Sequence, residues 1–436
     1  MADKLAGLEP ASVFHYFEEL CGIPHGSRNT KAISDYLAAF AREHDLAYIQ
    51  DPANNIIIFG KGTCGMESCA PVILQGHMDM VCEKDADCKL DMTTDGLDVT
   101  HDGKFVFAKG TTLGGDDGIA VAYAMALLAD DTIAHPPLEV ILTVDEEIGM
   151  LGADSIDLSQ IRGRSLINID SEDEGIFTVS CAGGATATIH IPAEPKAVYG
   201  PCVRLVVDGL QGGHSGAEIH KNRANANKVM GELLGRVQKL MPLCLTSFAG
   251  GSKDNASPRS CRATVVAMGI NIERINAVTE ALQAEIREQY DEPEVTIQAF
   301  DVDALGGNSL TTEATAQIIS LLCAAPNGVQ RYSQDIPGLV QTSLNLGIAK
   351  LGEGFQATFS VRSSVNQEKL NLLNRLRELA EFHNGTCTVM GEYPAWEYKK
   401  ESRLRDTMVQ VYQRLFEMEP KVIAIHAGLE CGLLSQ

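Results

Sequence analysis

The amino-acid sequence predicts an α/β fold, a mainly parallel-sheet domain into which an α+β domain is inserted. Three observations lead there. Over roughly the first 184 residues, short apolar runs alternate with helix-like stretches, the pattern of strands joined by crossover helices. After Cys181-Ala182-Gly183-Gly184 the texture changes, and Ala185 to Ile191 alternates small, apolar and polar residues as a half-exposed strand does. The chain has 436 residues, too many for one ordinary core, so two domains are expected. The expected divisions are 1–184 for the first part of the parallel-sheet domain, 185–390 for the insert and 391–436 for the return to the first domain.

Each element has its own signal. Pro10 to Glu43 reads as two amphipathic helices broken at Gly22-Ile23-Pro24, with Ser12 as candidate N-cap. Asn55 to Phe59, Val72 to Leu74, Leu138 to Val144 and Ser165 to Asp170 read as strands. Asp117 to Leu128, rich in Ala, Met and Leu, reads as a buried helix opening at a Gly-rich turn. In the insert, Ala224 to Lys239, Ala277 to Tyr290, Thr312 to Ala324 and Glu368 to Phe382 read as helices among strands. The insert has room for two related subdomains, yet its sequence shows no convincing repeat. Leu404 to Phe416 is an amphipathic helix, followed by the strand Val422 to Ile425.

Composition narrows the function. A net charge of −23 offers no basic stripe to phosphates, which argues against a nucleic-acid partner. No apolar stretch is long enough to span a bilayer, and the N-terminus lacks the basic-then-apolar pattern of a signal peptide. The 12 cysteines are dispersed without a Cys-x-x-Cys pair, which fits reduced thiols in a cytoplasmic protein.

Acidic groups recur at strand ends. His77 and Asp79 follow the apolar run Val72-Ile73-Leu74, Glu146 and Glu147 follow Leu138 to Val144, and Asp170 follows Leu166 to Ile169. Asp116 sits in Gly114-Gly115-Asp116-Asp117-Gly118. Taken singly, each is more often a surface pair, a turn or a solvated loop. Their order, and their placement where an α/β sheet builds its sites, point to one metal-dependent hydrolase centre. Asp79, two residues on from His77, can accept its second ring N–H. Glu146 and Glu147 are adjacent and point different ways, so one can bind metal while the other serves as general base. Mixed His and carboxylate ligands suit two divalent ions, zinc foremost, with manganese or cobalt also accommodated.

These segments resemble the co-catalytic zinc peptidases that include carboxypeptidase G and peptidase V. Gly76-His77-Met78-Asp79, Leu113 to Gly118, Asp145-Glu146-Glu147-Ile148-Gly149 and Asn168-Ile169-Asp170-Ser171-Glu172 carry the likeness, in order. Within the group the chain is most similar to the aminoacyl-histidine (cytosol non-specific) dipeptidases, through Gly212-Gly213-His214-Ser215-Gly216, Asp254 to Arg259, Gly338 to Gly347 and Ile425 to Gly432. The resemblance implies a dipeptidase that cleaves Xaa-His and other short peptides, with the insert as a lid. It implies that His77 and Asp170 bind one ion and Glu147 the other, with Asp116 bridging. It further implies that Asp79 orients His77, Glu146 is the base, His214 stabilises the oxyanion, and Asn255 and Arg362 hold the substrate carboxylate. A non-proline cis bond between Asp116 and Asp117 belongs to the same pattern. The sequence admits a homodimer.

One family feature is missing. The fifth ligand, a histidine in a His-Ser/Thr-Pro-Asp-Glu-like segment near the C-terminus, does not occur in these residues. His426 lies in the motif that precedes that segment and is not assigned to it. The chain is therefore expected to continue past Gln436. Two rival readings stand beside the dipeptidase: an amidohydrolase that removes an acyl group from an amino acid, and a non-catalytic metal-binding protein.

Overall fold

A computed structural model describes residues 4–267, 269, 271–302 and 306–436. Met268 and Ile270, in a stretch expected as strand, lie outside the described residues. The chain forms two compact units, Met1–Ile176 with Arg403–Lys421, and Phe177–Ser402 with Val422–Gln436.

The first unit is built on a five-stranded sheet. Its strands are β1 (Ala47–Gln50), β2 (Ile56–Gly60), β3 (Val72–His77), β4 (Leu138–Thr143) and β5 (Ser165–Asn168), in the order β1-β2-β4-β3-β5. The sheet is mixed and not mainly parallel. β3 runs parallel to β4 and β5, whereas β1, β2 and β4 pair antiparallel. A short turn after β1 forces a hairpin, and only the connections carrying longer crossovers can return parallel. β4 is buried along its whole length, because both sheet faces are covered. Ile56, Ile58, Leu74, Val140 and Leu142 pack with α1 (Ala11–Cys21), α2 (Lys31–Glu43) and α3 (Gly115–Ala129). Ile57, Ile73 and Ile141 face the other way, onto Ile156, Leu158 and Ile161. Helix α1 starts at Ala11 behind Pro10, so Ser12 lies inside it and is not the cap. Pro supplies no side-chain acceptor, but its fixed φ suits a helix start.

The second unit holds a nine-stranded antiparallel sheet. It contains β6 (Gly183–Ile191), β7 (Cys202–Asp208), β8 (Leu243–Gly250), β9 (Cys261–Ala267), β10 (Thr296–Val302), β11 (Val340–Gly352), β12 (Gly354–Ser363) and β13 (Thr386–Tyr393). Four helices pack on it: α4 (Ala226–Gln238), α5 (Ile272–Tyr290), α6 (Thr312–Ala324) and α7 (Asn366–Phe382). Asn225, Asn271 and Thr311 cap α4, α5 and α6 by accepting from backbone amides of the first turn.

This unit contains the repeat that the sequence hides. Eight strands run in the order β10-β7-β9-β8-β11-β12-β6-β13, and the ninth, Gly328–Tyr332, pairs with β11 off this path. One half reads β7-α4-β8-β9-α5-β10 along the chain, the other β6-α6-β11-β12-α7-β13. Both are βαββαβ units with equivalent strand order, meeting where Ala249 and Gly250 of β8 pair with Lys350 and Ala349 of β11. The first half is inserted after the first strand of the second. No tandem period can therefore appear in the sequence.

The units do not change over where the sequence texture does. Phe177–Gly184 and Val422–Gln436 belong to the second unit, and only Arg403–Lys421 returns to the first. Pairing explains this. The strand Ile176–Cys181 pairs with Lys421–Ile425, Ala182 N–H donates to Ala427 O at 2.9 Å, and Ser343 Oγ lies 2.7 Å from His426 Nε2. No helix among the described residues is long and apolar enough to cross a membrane.

Candidate metal centre

Strand register assembles the centre in the first unit. His77, the last residue of β3, lies level with Thr143 of β4, and Gln75 lies level with Asn168 of β5. Parallel pairing thus brings three C-terminal strand ends to one rim, with Glu146-Glu147 and Asp170 just beyond them. Asp116 comes from the turn into α3. Gly114 there has φ +69°, which favours glycine, and a Cβ would meet Met80 Sδ at 2.8 Å. Asp116 and Asp117 are non-helical, and the bond between them is cis, as the family resemblance implies. Gly76 is also required, because a Cβ there would strike Asp117 Oδ2 at 2.5 Å and Ala120 Cβ at 2.7 Å.

Among the described residues, two groups of donors share space: His77 with Asp116 and Asp170, and His77 with Glu146 and Glu147. In each group, one ligand atom per residue lies within 4.8 Å of the others. His77 Nε2 is 2.9 Å from Asp116 Oδ1. Asp116 and Glu147 do not fall in one such group, although the Asp116 charge acts on Glu147.

Asp79 sits differently from expectation. His77 Nδ1 lies 2.9 Å from the Asp79 backbone oxygen, while the Asp79 carboxylate is 3.5 Å away. The carbonyl is therefore the nearer acceptor, and it directs Nε2 toward Asp116. The carboxylate, fully buried, instead accepts from the amides of Glu146 at 3.1 Å and Glu147 at 3.4 Å. It also accepts from Ser27 Oγ at 2.8 Å. Ser27 and Asp117 belong to this site but went unrecognised in the sequence. Only the nearby helix break at Gly22-Ile23-Pro24 and the adjoining Asp116 carry a sequence signal. Asp117 Oδ2 accepts from the His77 amide at 3.2 Å, which ties the α3 turn to β3.

Electrostatics reflect this crowding. Burial alone would lower His77, but its bonds to Asp116 and Asp79 outweigh that and push it up to about 12. Burial, then the Asp170 charge, pushes Asp117 up to about 8. Burial raises Glu146 to about 7, and Glu147 and Asp170 shift in the same direction. For Asp79 burial acts upward, but the bonds from His77 and the Glu146 amide prevail and lower it. The donor set fits divalent cations: one imidazole nitrogen and several carboxylates converge.

In the second unit, His214 is exposed and pairs across a two-residue ladder with Ala256, which places Asn255 next to it in the chain. His214 Nδ1 accepts from the amides of Gly216 at 3.1 Å and Ala217 at 3.0 Å. With Nδ1 occupied as acceptor, a neutral ring carries its proton on Nε2 and presents a donor. Burial, then the Arg362 charge, lowers its pKa and favours that neutral form. Arg362 Nη1 donates to Tyr393 Oη at 3.2 Å, and its Nε is buried with no partner among the described residues.

Comparison with known proteins agrees with this reading. The M20 peptidase dimerisation domain matches residues 207–294, within the first βαββαβ half. The cytosol non-specific dipeptidase of Escherichia coli is 35% identical over 438 residues, which cover 99% of this chain and 90% of that protein. The crystal structure of aminoacylhistidine dipeptidase from Vibrio alginolyticus has 35% identity and a TM-score of 0.91, covering 98% of this chain and 88% of its own. Aminopeptidase PepT from Bacillus cereus, at 13% identity and TM-score 0.52, shares the fold over 97% of this chain and 87% of its own. The chain belongs to the M20 peptidases, in the family of the cytosol non-specific and aminoacylhistidine dipeptidases.

Proposed function

We propose that the chain is a cytoplasmic, two-metal dipeptidase that hydrolyses Xaa-His and other dipeptides. The observation that carries this reading is the convergence of His77, Asp116, Glu146, Glu147 and Asp170 at one sheet rim, in a chain 35% identical to a dipeptidase over its length. His77 and Asp170 would hold one ion and Glu147 the other, with Asp116 between them. Bound there, divalent ions would polarise the scissile carbonyl and acidify water. Glu146 takes the proton of the attacking water on its carboxylate and returns it to the leaving amine. His214 Nε2–H donates to the carbonyl oxygen as it gains charge. The exposed Asn255 and the unpartnered Nε of Arg362 support their role in holding the substrate carboxylate. The second unit serves as the lid. The matched dimerisation domain favours a homodimer.

The test is a panel of dipeptides, longer peptides and N-acyl amino acids, assayed with zinc, manganese or cobalt. Cleavage of Xaa-His and other dipeptides is expected. Hydrolysis of acyl amino acids alone would favour the amidohydrolase reading, and metal uptake without turnover the non-catalytic one.

A further inference from the structure

The connection between α1 and α2 runs beneath the rim of the first unit's sheet, and no motif assigns it a role. It touches two of the segments that supply the site. Gly26 bridges to Met80 in parallel, and Met80 N–H donates to His25 O at 3.2 Å. Ser27 Oγ donates to Asp79 Oδ2 at 2.8 Å, and the Arg28 amide donates to Asp145 Oδ1 at 2.5 Å. Arg28 and Asp145 both have left-handed φ, +67° and +56°, so each end of that last bond is fixed by an uncommon backbone conformation. At Gly26 a Cβ would collide with Cys82 Sγ, which keeps the connection pressed against the chain beyond Asp79.

Asp79 is where these contacts matter most. Its Oδ1 holds the Glu146 amide, and its Oδ2 holds Ser27 and, at a longer distance, the Glu147 amide. The carboxylate is fully buried and must keep its partners. Without the Ser27 hydroxyl, Oδ2 would retain only the 3.4 Å bond from Glu147. The carboxylate could then turn to seek other donors, releasing the turn that carries Glu146 and Glu147.

We infer that Ser27 is a positioning residue that sets the Glu146–Glu147 turn through the Asp79 carboxylate; the inference rests on the two-metal reading above. It touches neither metal nor substrate and acts by fixing the Asp79 side chain. Partners of this kind typically change metal affinity or activity by about 10- to 100-fold.

The test titrates zinc into the metal-free protein by calorimetry, for the parent, Ser27→Ala and Ser27→Thr. Zinc affinity is expected to fall about tenfold or more in Ser27→Ala and to recover in Ser27→Thr, which restores the hydroxyl. The thermal midpoint of the metal-free protein should fall modestly in Ser27→Ala, because a buried carboxylate loses a donor, and recover in Ser27→Thr. Parental affinity in Ser27→Ala would overturn the inference. So would an equal loss of affinity in both variants, since that marks a general packing role. Because the readout is zinc binding, a parent that binds zinc but cleaves no dipeptide would refute the proposed function and leave Ser27 to be decided separately.

Discussion

In the first unit, three parallel strands end level with one another, and the residues just past them share one rim. In the second, every strand of the large sheet pairs antiparallel, so successive ends point to opposite sides. Its candidate residues are spread: His214 and Asn255 lie on or beside a separate two-residue ladder, and Arg362 lies near the end of β12 in the large sheet itself. Parallel pairing brings distant sequence motifs to one rim, and the short turns past the strand ends and into α3 complete the set. Antiparallel pairing does not, and there the functional residues depend on turns that fix individual side chains.

The largest effect should come from the parallel rim. Glu146 and Glu147 both reach the space around His77, so either could serve an ion. If Glu146 is the base, Glu146→Gln should lower kcat on a dipeptide about 10³-fold, within the 10²–10⁴ range of general base catalysis, and keep the parental zinc stoichiometry. Glu147→Gln should lose zinc instead. Metal content by atomic absorption beside steady-state rates separates the two. Parental turnover in Glu146→Gln would break the assignment.

The antiparallel unit should respond in the opposite way, losing rate but not metal. Removing one oxyanion donor costs on the order of 3 kcal/mol, so His214→Ala should turn over about 10²-fold more slowly with unchanged zinc affinity. The amides of Gly216 and Ala217 hold Nδ1, which leaves Nε2–H as the working donor. His214→Gln keeps a distal N–H and should retain more activity than His214→Ala. Equal rates in the alanine variant and the parent would remove His214 from the chemistry.

This contrast also explains what the sequence made legible. His77, Asp116, Glu146, Glu147 and Asp170 stood out because each follows an apolar strand or a Gly-rich turn, and their meeting is a matter of strand register. Ser27 did not stand out, because its partner Asp79 lies 52 residues away and a lone serine in a loop carries no pattern. The mixed pairing is not legible in the sequence because residues 56–59 of β2 and residues 140–142 of β4 are both apolar runs, which look alike whichever way they pair. The repeat in the second unit was hidden by insertion of one half into the other. His214 and Arg362 are reached by family resemblance alone, since no periodicity marks His214 on its two-residue ladder and the alternation of β12 says nothing of what Arg362 binds.

Two buried histidines carry the comparison into pH dependence. His77, among carboxylates, is pushed up to about 12, whereas His426 in the second unit is pushed down to about 3 by burial and by the Arg362 charge. Above pH ~6.5 His426 is neutral in both the folded and unfolded chain and has no effect on stability. Below that value the unfolded chain takes up a proton that the folded chain refuses until about pH 3, so stability falls with acid. At ~1.36 kcal/mol per pH unit, the loss between pH 6.5 and 5 is up to about 2 kcal/mol. Urea unfolding followed by the fluorescence of Trp396, the chain's single tryptophan and a member of the same unit, reads this directly. His426→Asn, which cannot titrate, should lose about 2 kcal/mol less than the parent over that interval. Identical pH dependence in the two proteins would mean that His426 takes up its proton without unfolding, and that the pocket around Ser343 and Arg362 tolerates a second positive charge.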